Sequence, residues 1–369
     1  MRIGVDGRVL VHRPTGVARY LKGILDHREP PAEGEEEVRI FVDRKPDEAV
    51  QHTLEVAPWP FPGGDPLWRQ LALPKALTRS KVDVLYCPFY SIPLRARVPA
   101  VVTIHDVSFL AHPEWFRRRS RWAFSLSAPS ARRASKILTV SEFSAREIVA
   151  RMNVPASKIV VTPLGVSPRF FAAPSESERR SLRQWLGCEG PYVLHFGAVH
   201  ARRHVDLLVA GFARLRHRHR DAKLVICGPD LAPAPDIEAA ARDLGVTGAL
   251  IRKTWVPHEH VVALLHEAGV LAYLSSYEGF GLPALEALAA GAPVVALRRA
   301  SLPEVLGDTC IWLDSLDADR LGEALGEALR DDVADDLRKR GRRRAQTFTW
   351  RRSAESTWPI IRAAAAQGV

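Results

Sequence analysis

The sequence predicts an α/β protein with two doubly wound domains, each a parallel sheet covered by helices. Strand-like apolar runs alternate with helical segments along the chain, which is the βαβ rhythm of a parallel sheet. A polar stretch at residues 173–183 interrupts this rhythm, and the alternation restarts at Tyr192. A length of 369 residues is enough for two domains with full cores.

The strands follow from short apolar runs bounded by turn residues. We predict a boundary between residues 175 and 176, within the polar stretch. Domain one therefore spans 1–175 and domain two 176–349. The predicted strands are 2–5, 38–42, 84–87, 101–105, 136–140 and 159–162, then 192–196, 224–227, 250–254, 270–274, 293–297 and 311–313.

The composition, 47% hydrophobic and 25% charged, is ordinary for a globular protein. The N-terminus MRIGVDGRVL lacks the apolar core of a signal peptide, and no apolar run approaches the roughly 18 residues of a membrane span. These features predict a cytosolic protein. The four cysteines are far apart and lack metal-ligand spacing, so we expect reduced, mostly buried thiols and no metal site.

The net charge of +10 indicates either an anionic partner or a compositional bias toward arginine. Most arginine clusters are expected to be solvated helix faces. One cluster differs because aromatic residues interleave with it, a combination that suits an anionic membrane surface or a lipid-linked acceptor. Nucleic acid is the rival partner, but we find no recognition motif for it. The cluster comprises Trp115, Phe116, Arg117, Arg118, Arg119, Arg121 and Trp122.

The segment SSYEGFGLPALEALAAG, residues 275–291, is the most informative in the chain. Its glycines permit a tight turn after a strand, Pro283 suits a first helical position, and Gly291 suits a helix end. A helix N-terminus is an anion site, so the turn suits a nucleoside diphosphate. Glu286 can accept ribose hydroxyls, and Glu278 would lie nearer a sugar. The predicted turn residues are Gly279, Phe280, Gly281 and Leu282.

The alternative for this segment is a solvent-facing glutamate pair. However, EGFGLPALE resembles the E-x7-E hallmark of retaining glycosyltransferases of family four. The resemblance covers nearly the whole chain and implies the GT-B fold, in which two Rossmann-like domains face each other across a cleft. It further implies an N-terminal acceptor domain, a C-terminal donor domain and a last helix, in residues 350–369 after the sequence TFTW, that crosses back to the N-terminal domain. In this family the second glutamate typically holds the donor ribose.

A second candidate loop, GAVHARRHVDLL, follows the strand that ends at Phe196. Gly197 permits the turn, and Arg202 and Arg203 supply permanent charge for a diphosphate. In relatives this loop usually contains E-P-R-K-N. Here His200 and Ala201 replace the first two residues, Arg203 replaces the lysine, and His204 the asparagine, so the loop geometry is in question. The alternative is a basic helix start facing water.

In the N-terminal half, VVTIHDVSFLAHPEWF places His105 and Asp106 after an apolar strand. An isolated pair of this kind is usually structural, but the longer HD…HPEWF pattern resembles the acceptor-domain signature of mannosyltransferase-like members. The resemblance implies that His105 hydrogen-bonds the donor sugar. Asp106 would either orient His105 or meet the acceptor.

Two further residues are assigned through the resemblance. Gly16, in TGVARY, lies where relatives approach the donor phosphates, near a helix N-terminus. Trp255, in KTWVP, lies where relatives contact the nucleotide base, mostly through backbone groups. Base identity is therefore not legible from the side chains.

Together these patterns predict a retaining, metal-independent hexosyltransferase without a cofactor, which uses a nucleoside-diphosphate sugar. GDP-mannose is the first expectation for the donor, and a glycan or lipid-linked molecule in polysaccharide synthesis for the acceptor. Two alternatives remain open: a nucleotide-sugar epimerase or phosphorylase of the same fold, and a non-catalytic basic binding protein. A phosphorylase would need a lysine for pyridoxal phosphate, and Lys253 is the only one between Lys223 and Lys339.

Overall fold

A computed structural model describes residues 1–11, 16–31, 34–45, 53–59, 65–117 and 122–366. The chain divides into two compact units, Met1–Gly165 with Thr349–Val369, and Val166–Phe348. Three members of the predicted basic and aromatic cluster, Arg118, Arg119 and Arg121, lie outside the described residues. In the described part, no helix is both long and apolar enough to span a membrane.

The first unit contains, in its described residues, a seven-stranded parallel sheet in the order β3-β2-β1-β4-β5-β6-β7. The central strands are fully buried because they consist of apolar and small residues, as expected for a sheet covered on both faces. The strands are β1 (Arg2–Asp6), β2 (Glu37–Val42), β3 (Thr53–Val56), β4 (Val84–Cys87), β5 (Ala100–Thr103), β6 (Lys136–Thr139) and β7 (Ile159–Val161). Its helices are α1 (Gly16–Asp26), α2 (Asp65–Arg79), α3 (Ser108–Ala111), α4 (Ser127–Arg133) and α5 (Glu142–Met152).

The second unit contains a six-stranded parallel sheet in the order β10-β9-β8-β11-β12-β13. Its strands are β8 (Tyr192–Phe196), β9 (Lys223–Cys227), β10 (Leu250–Lys253), β11 (Ala268–Tyr273), β12 (Val294–Leu297) and β13 (Ile311–Leu313). Its helices are α6 (Glu176–Leu186), α7 (Val205–Arg216), α8 (Ile237–Asp243), α9 (Val261–His266), α10 (Leu282–Ala290), α11 (Leu302–Leu306), α12 (Ala318–Ala328) and α13 (Asp331–Gln346). The two sheets establish the predicted α/β class with two doubly wound domains.

The last helix, α14 (Trp350–Ala365), belongs to the first unit. The Trp358 indole donates a hydrogen bond to the Ile24 carbonyl on α1, at 2.9 Å. Gly23 allows this packing, since a Cβ there would lie 2.4 Å from the Trp350 ring. The C-terminal segment is therefore part of the first unit's core rather than an appendage.

The first boundary between the units lies ten residues earlier than the sequence placed it, at 165/166 instead of 175/176. The intervening residues pack on the second unit. Phe170 is buried, its carbonyl lies 3.0 Å from His266 Nε2, and the Phe171 carbonyl accepts from Arg342 at 2.6 Å. The polar stretch that marked the boundary in the sequence forms α6, whose N-terminus Ser175 closes a capping box with Glu178.

All four cysteines, Cys87, Cys188, Cys227 and Cys310, are buried and free, as predicted. Burial raises the pKa of the Cys227 thiol to about 12, so it stays protonated at neutral pH. Within the described ranges, no group of three or more His, Cys, Asp or Glu side chains could hold a metal ion.

Candidate functional site

The candidate site lies at the point where the strand order of the second sheet reverses. β8 pairs with β9 on one side and with β11 on the other. The connection after β8 therefore runs towards one edge of the sheet, and the connection after β11 runs towards the opposite edge. Such a switch point opens a crevice at the carboxyl ends of the strands, where ligands of doubly wound sheets bind. The two loops that follow these strands are the two that the sequence singled out.

The loop after β8 begins at Gly197, whose φ of +131° is a conformation that L side chains rarely adopt. A Cβ at this position would also lie 2.0 Å from Nη1 of Arg203. The backbone conformation therefore requires the glycine, and the guanidinium of Arg203 passes close over it. Arg203 donates from Nη1 to the Ala198 carbonyl at 3.2 Å, which fixes the guanidinium against the loop.

The two histidines of this loop have defined structural roles. His200 precedes the 3-10 turn Ala201–Arg203, and its Nδ1 accepts a hydrogen bond from the Arg202 amide at 3.2 Å. His204 follows the turn with φ +47° and ψ +47°, and its Nε2 is hydrogen-bonded to the Ser276 hydroxyl. The replacements that distinguish this loop from the E-P-R-K-N pattern therefore support a closed, hydrogen-bonded turn.

The loop after β11 is held against the first loop and against α11. The Ser276 amide donates to the Arg202 carbonyl at 2.8 Å. Two residues later, the Glu278 carbonyl accepts from the Ser301 hydroxyl at 2.8 Å. The loop carrying Glu278 is thus fixed on both sides by side chains and backbone of other elements.

Both arginines converge on Glu278. Its carboxylate lies 3.9 Å from Nη2 of Arg202 and 3.4 Å from Nη2 of Arg203. Burial alone would raise the pKa of Glu278, but the two guanidinium groups outweigh it and hold the pKa below its ordinary value. Glu278 is therefore ionised at neutral pH, and the group as a whole has a surplus of positive charge.

Some polar atoms around this group are buried without hydrogen-bond partners among the described residues, namely Arg203 Nε and His195 Nε2. The Tyr273 hydroxyl and the Glu278 carboxylate share a side-chain hydrogen bond. A buried polar group without a partner costs about 1 to 3 kcal/mol, and such groups often mark functional sites. The arrangement thus retains unused hydrogen-bonding capacity close to two cations.

His195 and Tyr273 were not among the residues predicted from sequence. They are the fourth residue of β8 and the last residue of β11, and both are almost completely buried. Burial, with the nearby charge of Arg203, lowers the pKa of His195 to about 3, so the ring is neutral. The available signal was their place near the ends of the two switch-point strands, but their apolar neighbours suggested core residues.

Helix α10 begins at Leu282 after Gly281, which has a φ of +94°, and Pro283 is its second residue rather than its first. A Cβ at Gly281 would meet Leu302 at 2.6 Å, so the turn is tightly packed.

Glu286 lies one turn into helix α10 and is 3% exposed. Phe280 and Leu282 are buried, so they belong to the packed turn at the helix start. Gly291 ends the helix with a φ of +83°, as predicted.

Trp255 follows β10 and is 68% exposed, an unusual state for so large an aromatic side chain. Nearby, Arg252 donates to the Gly228 carbonyl at 2.7 Å and to the Asp230 carboxylate at 2.6 Å. These contacts anchor the loop after β9 to β10. The exposed Trp255 indole therefore follows a strand whose end is held by hydrogen bonds.

His105 and Asp106 belong to the first unit and follow β5. His105 Nε2 lies 3.0 Å from the Pro88 carbonyl, and burial lowers the pKa of the ring. A neutral ring that donates from Nε2 has an acceptor at Nδ1. Asp106 accepts from the Ser108 amide at 2.8 Å and from the Ser108 hydroxyl at 2.7 Å, so its carboxylate is bound to the first residue of α3.

Gly16 is the first residue of α1 and is exposed. A Cβ at this position would meet no atom within 4 Å, and its φ is not positive. Among the residues that the structure describes, neither packing nor backbone conformation requires a glycine here.

Each half of the chain matches a known protein family. Residues 183–348 match the family of Glycosyl transferases group 1, and residues 24–170 match Glycosyltransferase Family 4. The chain is 33% identical over 249 residues to the O-antigen chain mannosyltransferase B of Escherichia coli. The matched residues are 67% of this chain and 65% of that protein.

A second relative is the GDP-mannose-dependent alpha-(1-6)-phosphatidylinositol dimannoside mannosyltransferase of Mycobacterium tuberculosis. It is 32% identical over 246 residues, which is 65% of this chain and 61% of that protein. The matched part thus spans slightly less than two thirds of these two relatives. Among solved structures, Anabaena HepE in complex with UDP and glucose has a TM-score of 0.75 at 18% identity, over 98% of this chain and 100% of that one. At this identity the likeness shows a shared fold.

Proposed function

Because the chain belongs to the group 1 and family 4 glycosyltransferases and has their GT-B fold, we propose that it transfers a hexose from a nucleoside-diphosphate sugar to a glycan or lipid-linked acceptor. The observation that carries this proposal is the convergence of Arg202 and Arg203 on the buried carboxylate of Glu278 at the switch point of the second sheet. Two guanidinium groups at such a crevice suit a diphosphate.

The main task of the site is to stabilise the departing diphosphate. As the bond between the anomeric carbon and the phosphate oxygen breaks, negative charge accumulates on the leaving group. Arg202 and Arg203 are already oriented, and Gly197 and the Ala198 carbonyl fix the second of them. Preorganised charge of this kind lowers the barrier because it needs no rearrangement during the reaction. No metal ion is required in this proposal.

Glu278 serves two purposes in the proposed site. Its ionised carboxylate offsets part of the charge of the two arginines before the donor binds, and its oxygen atoms can accept hydrogen bonds from sugar hydroxyls. Glu286 is proposed to accept the ribose hydroxyls, and the backbone from Gly279 to Leu282 to face the phosphates at the start of α10. Trp255 is proposed to lie beside the base.

His105 is proposed to accept a hydrogen bond from a hydroxyl of the donor sugar. Its neutral ring donates from Nε2 to the Pro88 carbonyl, so Nδ1 is left as an acceptor. Asp106 is proposed to support the site through Ser108, the first residue of α3, whose amide and hydroxyl bind its carboxylate. This assignment replaces a direct contact between Asp106 and the acceptor with a supporting role.

We further propose that the anomeric configuration is retained. The acceptor hydroxyl would attack from the side of the leaving group, form the new bond at the anomeric carbon, and transfer its proton to the departing phosphate oxygen. Mannose from GDP-mannose is the proposed donor, supported by the mannosyltransferase relatives. Donor choice depends on few contacts, so it is the part most open to experiment.

An anionic membrane surface is the proposed location of a lipid-linked acceptor. Trp122 is 53% exposed, Leu110 is 38% exposed, and Arg117 is exposed beside them in the sequence. Aromatic and cationic side chains together favour the interface of anionic lipids. Sedimentation with vesicles of anionic lipid, compared with zwitterionic vesicles and with Trp122→Ala, tests this location.

The enzymatic proposal is tested by incubating the protein with GDP-mannose, UDP-glucose and related donors and following the reaction by proton NMR. Slow hydrolysis in the absence of an acceptor should release the hexose first as the anomer present in the donor. Release of the opposite anomer would contradict retention. Absence of turnover with every donor and glycan acceptor supplied would contradict the hexosyltransferase assignment.

A further inference from the structure

The two loops of the candidate site are joined by three hydrogen bonds that meet at Ser276. Its amide donates to the Arg202 carbonyl at 2.8 Å, and its hydroxyl contacts the same carbonyl at 3.2 Å. The third bond links the Ser276 hydroxyl to Nε2 of His204. The residue before the arginine pair is fixed separately, since the Ala201 amide donates to the Pro233 carbonyl at 2.7 Å.

We infer that His204 and Ser276 form a clasp that positions Arg202 and Arg203 for the diphosphate of the donor. This inference rests on the proposed function. The clasp closes the loop after β8 onto the loop after β11, only two residues before Glu278. His204 and Ser276 act through the arginines and need no contact with the substrate, so they are positioning residues.

The backbone at His204 restricts which residues can fill this position. Its φ of +47° and ψ of +47° are left-handed, where Asn, Asp and His occur more readily than other non-glycine residues. The same residue must also reach Ser276 through an atom as distant from the backbone as Nε2. Histidine meets both requirements, which explains how it can replace the asparagine of the resembled pattern.

The position of the clasp argues against a role in stability alone. The bonds connect two loops at the crevice rather than two core elements, and the Arg202 carbonyl already has the Ser276 amide as a partner. Loss of the hydroxyl therefore leaves the bond between the Ser276 amide and the Arg202 carbonyl in place. It removes the two bonds that the hydroxyl makes, to His204 and to the Arg202 carbonyl. Because burial lowers the pKa of His204, the link is made by a neutral ring at neutral pH.

Three variants separate the two requirements. Ser276→Ala removes the hydroxyl and keeps the amide bond. His204→Asn keeps the left-handed preference but its amide nitrogen stops short of Ser276, whereas His204→Gln extends an amide to about the position of Nε2. The dissociation constants of GDP, UDP, ADP and dTDP are measured by calorimetry on each protein, together with its melting temperature.

We expect Ser276→Ala and His204→Asn to weaken the binding of the nucleoside diphosphate that the wild type prefers by about 2 to 12 fold, the usual effect of one hydrogen bond. The double variant should bind no more weakly than Ser276→Ala alone, because Ser276→Ala already removes the bond that His204→Asn removes. His204→Gln should stay within about twofold of the wild type in affinity, while its melting temperature falls slightly because glutamine suits the left-handed backbone less well than histidine. The melting temperatures of the other variants should change little.

Unchanged affinity in both single variants, fully additive losses, or losses that follow the melting temperature would overturn the clasp while leaving the proposed function intact. Failure of the wild type to bind any of the four diphosphates would instead contradict the proposed function, and the inference would be rejected with it.

Discussion

The Arg203 guanidinium lies 3.4 Å from the Glu278 carboxylate, and both side chains are close to fully buried. Removing one partner of a buried ion pair leaves an uncompensated charge, which typically costs about 3 to 5 kcal/mol. Arg202 also faces the carboxylate, so the two arginines and the glutamate together carry a net charge of one positive unit. That surplus is the property on which the proposed recognition of a diphosphate depends.

Glu278→Gln should separate binding from catalysis. The carboxylate attracts the same arginines that the diphosphate needs, so its neutral isostere should bind a nucleoside diphosphate at least as tightly as the wild type. Turnover should fall by about 100-fold, since a charged hydrogen-bond acceptor for the sugar is lost. Calorimetry and initial rates check the two effects, and a parallel loss of both would contradict this division of roles.

Gly197→Ala should displace Arg203. The added Cβ would lie 2.0 Å from Nη1 of the arginine, so the guanidinium must move away from Glu278. Diphosphate affinity should fall by about tenfold or more. Gly245→Ala is the matched control, because Gly245 also has a positive φ, +68°, but its Cβ would meet nothing within 4 Å. Equal losses of affinity in the two variants would show that backbone strain alone is responsible.

Gly16→Ala should leave the fold intact and impair the reaction. Because a Cβ there meets no atom within 4 Å, and alanine suits a helix better than glycine, the melting temperature should stay level or rise slightly. If a ligand approaches the backbone at this residue, kcat/KM should fall by about tenfold, and Gly16→Val should lower it further. Full activity in both variants would remove Gly16 from the site.

His195 should make the protein less stable in acid. Its pKa in the folded state is lowered from 6.5 to about 3, so between these values the unfolded chain binds the proton and the folded chain does not. The free energy of unfolding should therefore decrease as the pH falls through this window, by up to about 1.4 kcal/mol per pH unit from this group.

His195→Phe should flatten this acid limb in urea unfolding measured from pH 6.5 to pH 4. The same substitution at His217, which is exposed, is the control and should leave the slope unchanged. An identical slope in the wild type and in His195→Phe would mean that His195 does not stay neutral in the folded protein.

The sequence was sufficient to predict most of the fold. Each of the twelve predicted strands forms within two residues of its expected ends, because buried parallel strands are continuous apolar runs. Strand β3, with the sequence TLEV, was missed. Among the described residues it pairs with β2 at the sheet edge, and it is partly exposed, so it lacks that apolar signal.

The site was predictable at the level of loops rather than contacts. Glycines and charges after strands identified the loops that carry Arg202, Arg203 and Glu278. The bonds that fix these loops were not legible, because the partners of Ser276 and Ser301 are distant in sequence and are brought together only by the sheet order. His195 was hidden for a similar reason, since a polar residue in an apolar strand gives no indication of what faces it.

The central claim, that this site holds a nucleoside diphosphate, is tested most directly by thermal shift with GDP, UDP, ADP and dTDP, without metal. The wild type is compared with Glu286→Ala and, as a control on an exposed helix face, with Glu327→Ala. At about 100 times its dissociation constant, a ligand should add roughly 2.7 kcal/mol to the stability of the wild type and of the control. We predict that one diphosphate does so and that Glu286→Ala loses the effect. No stabilisation of the wild type by any of the four, or equal stabilisation of Glu286→Ala, would contradict the account.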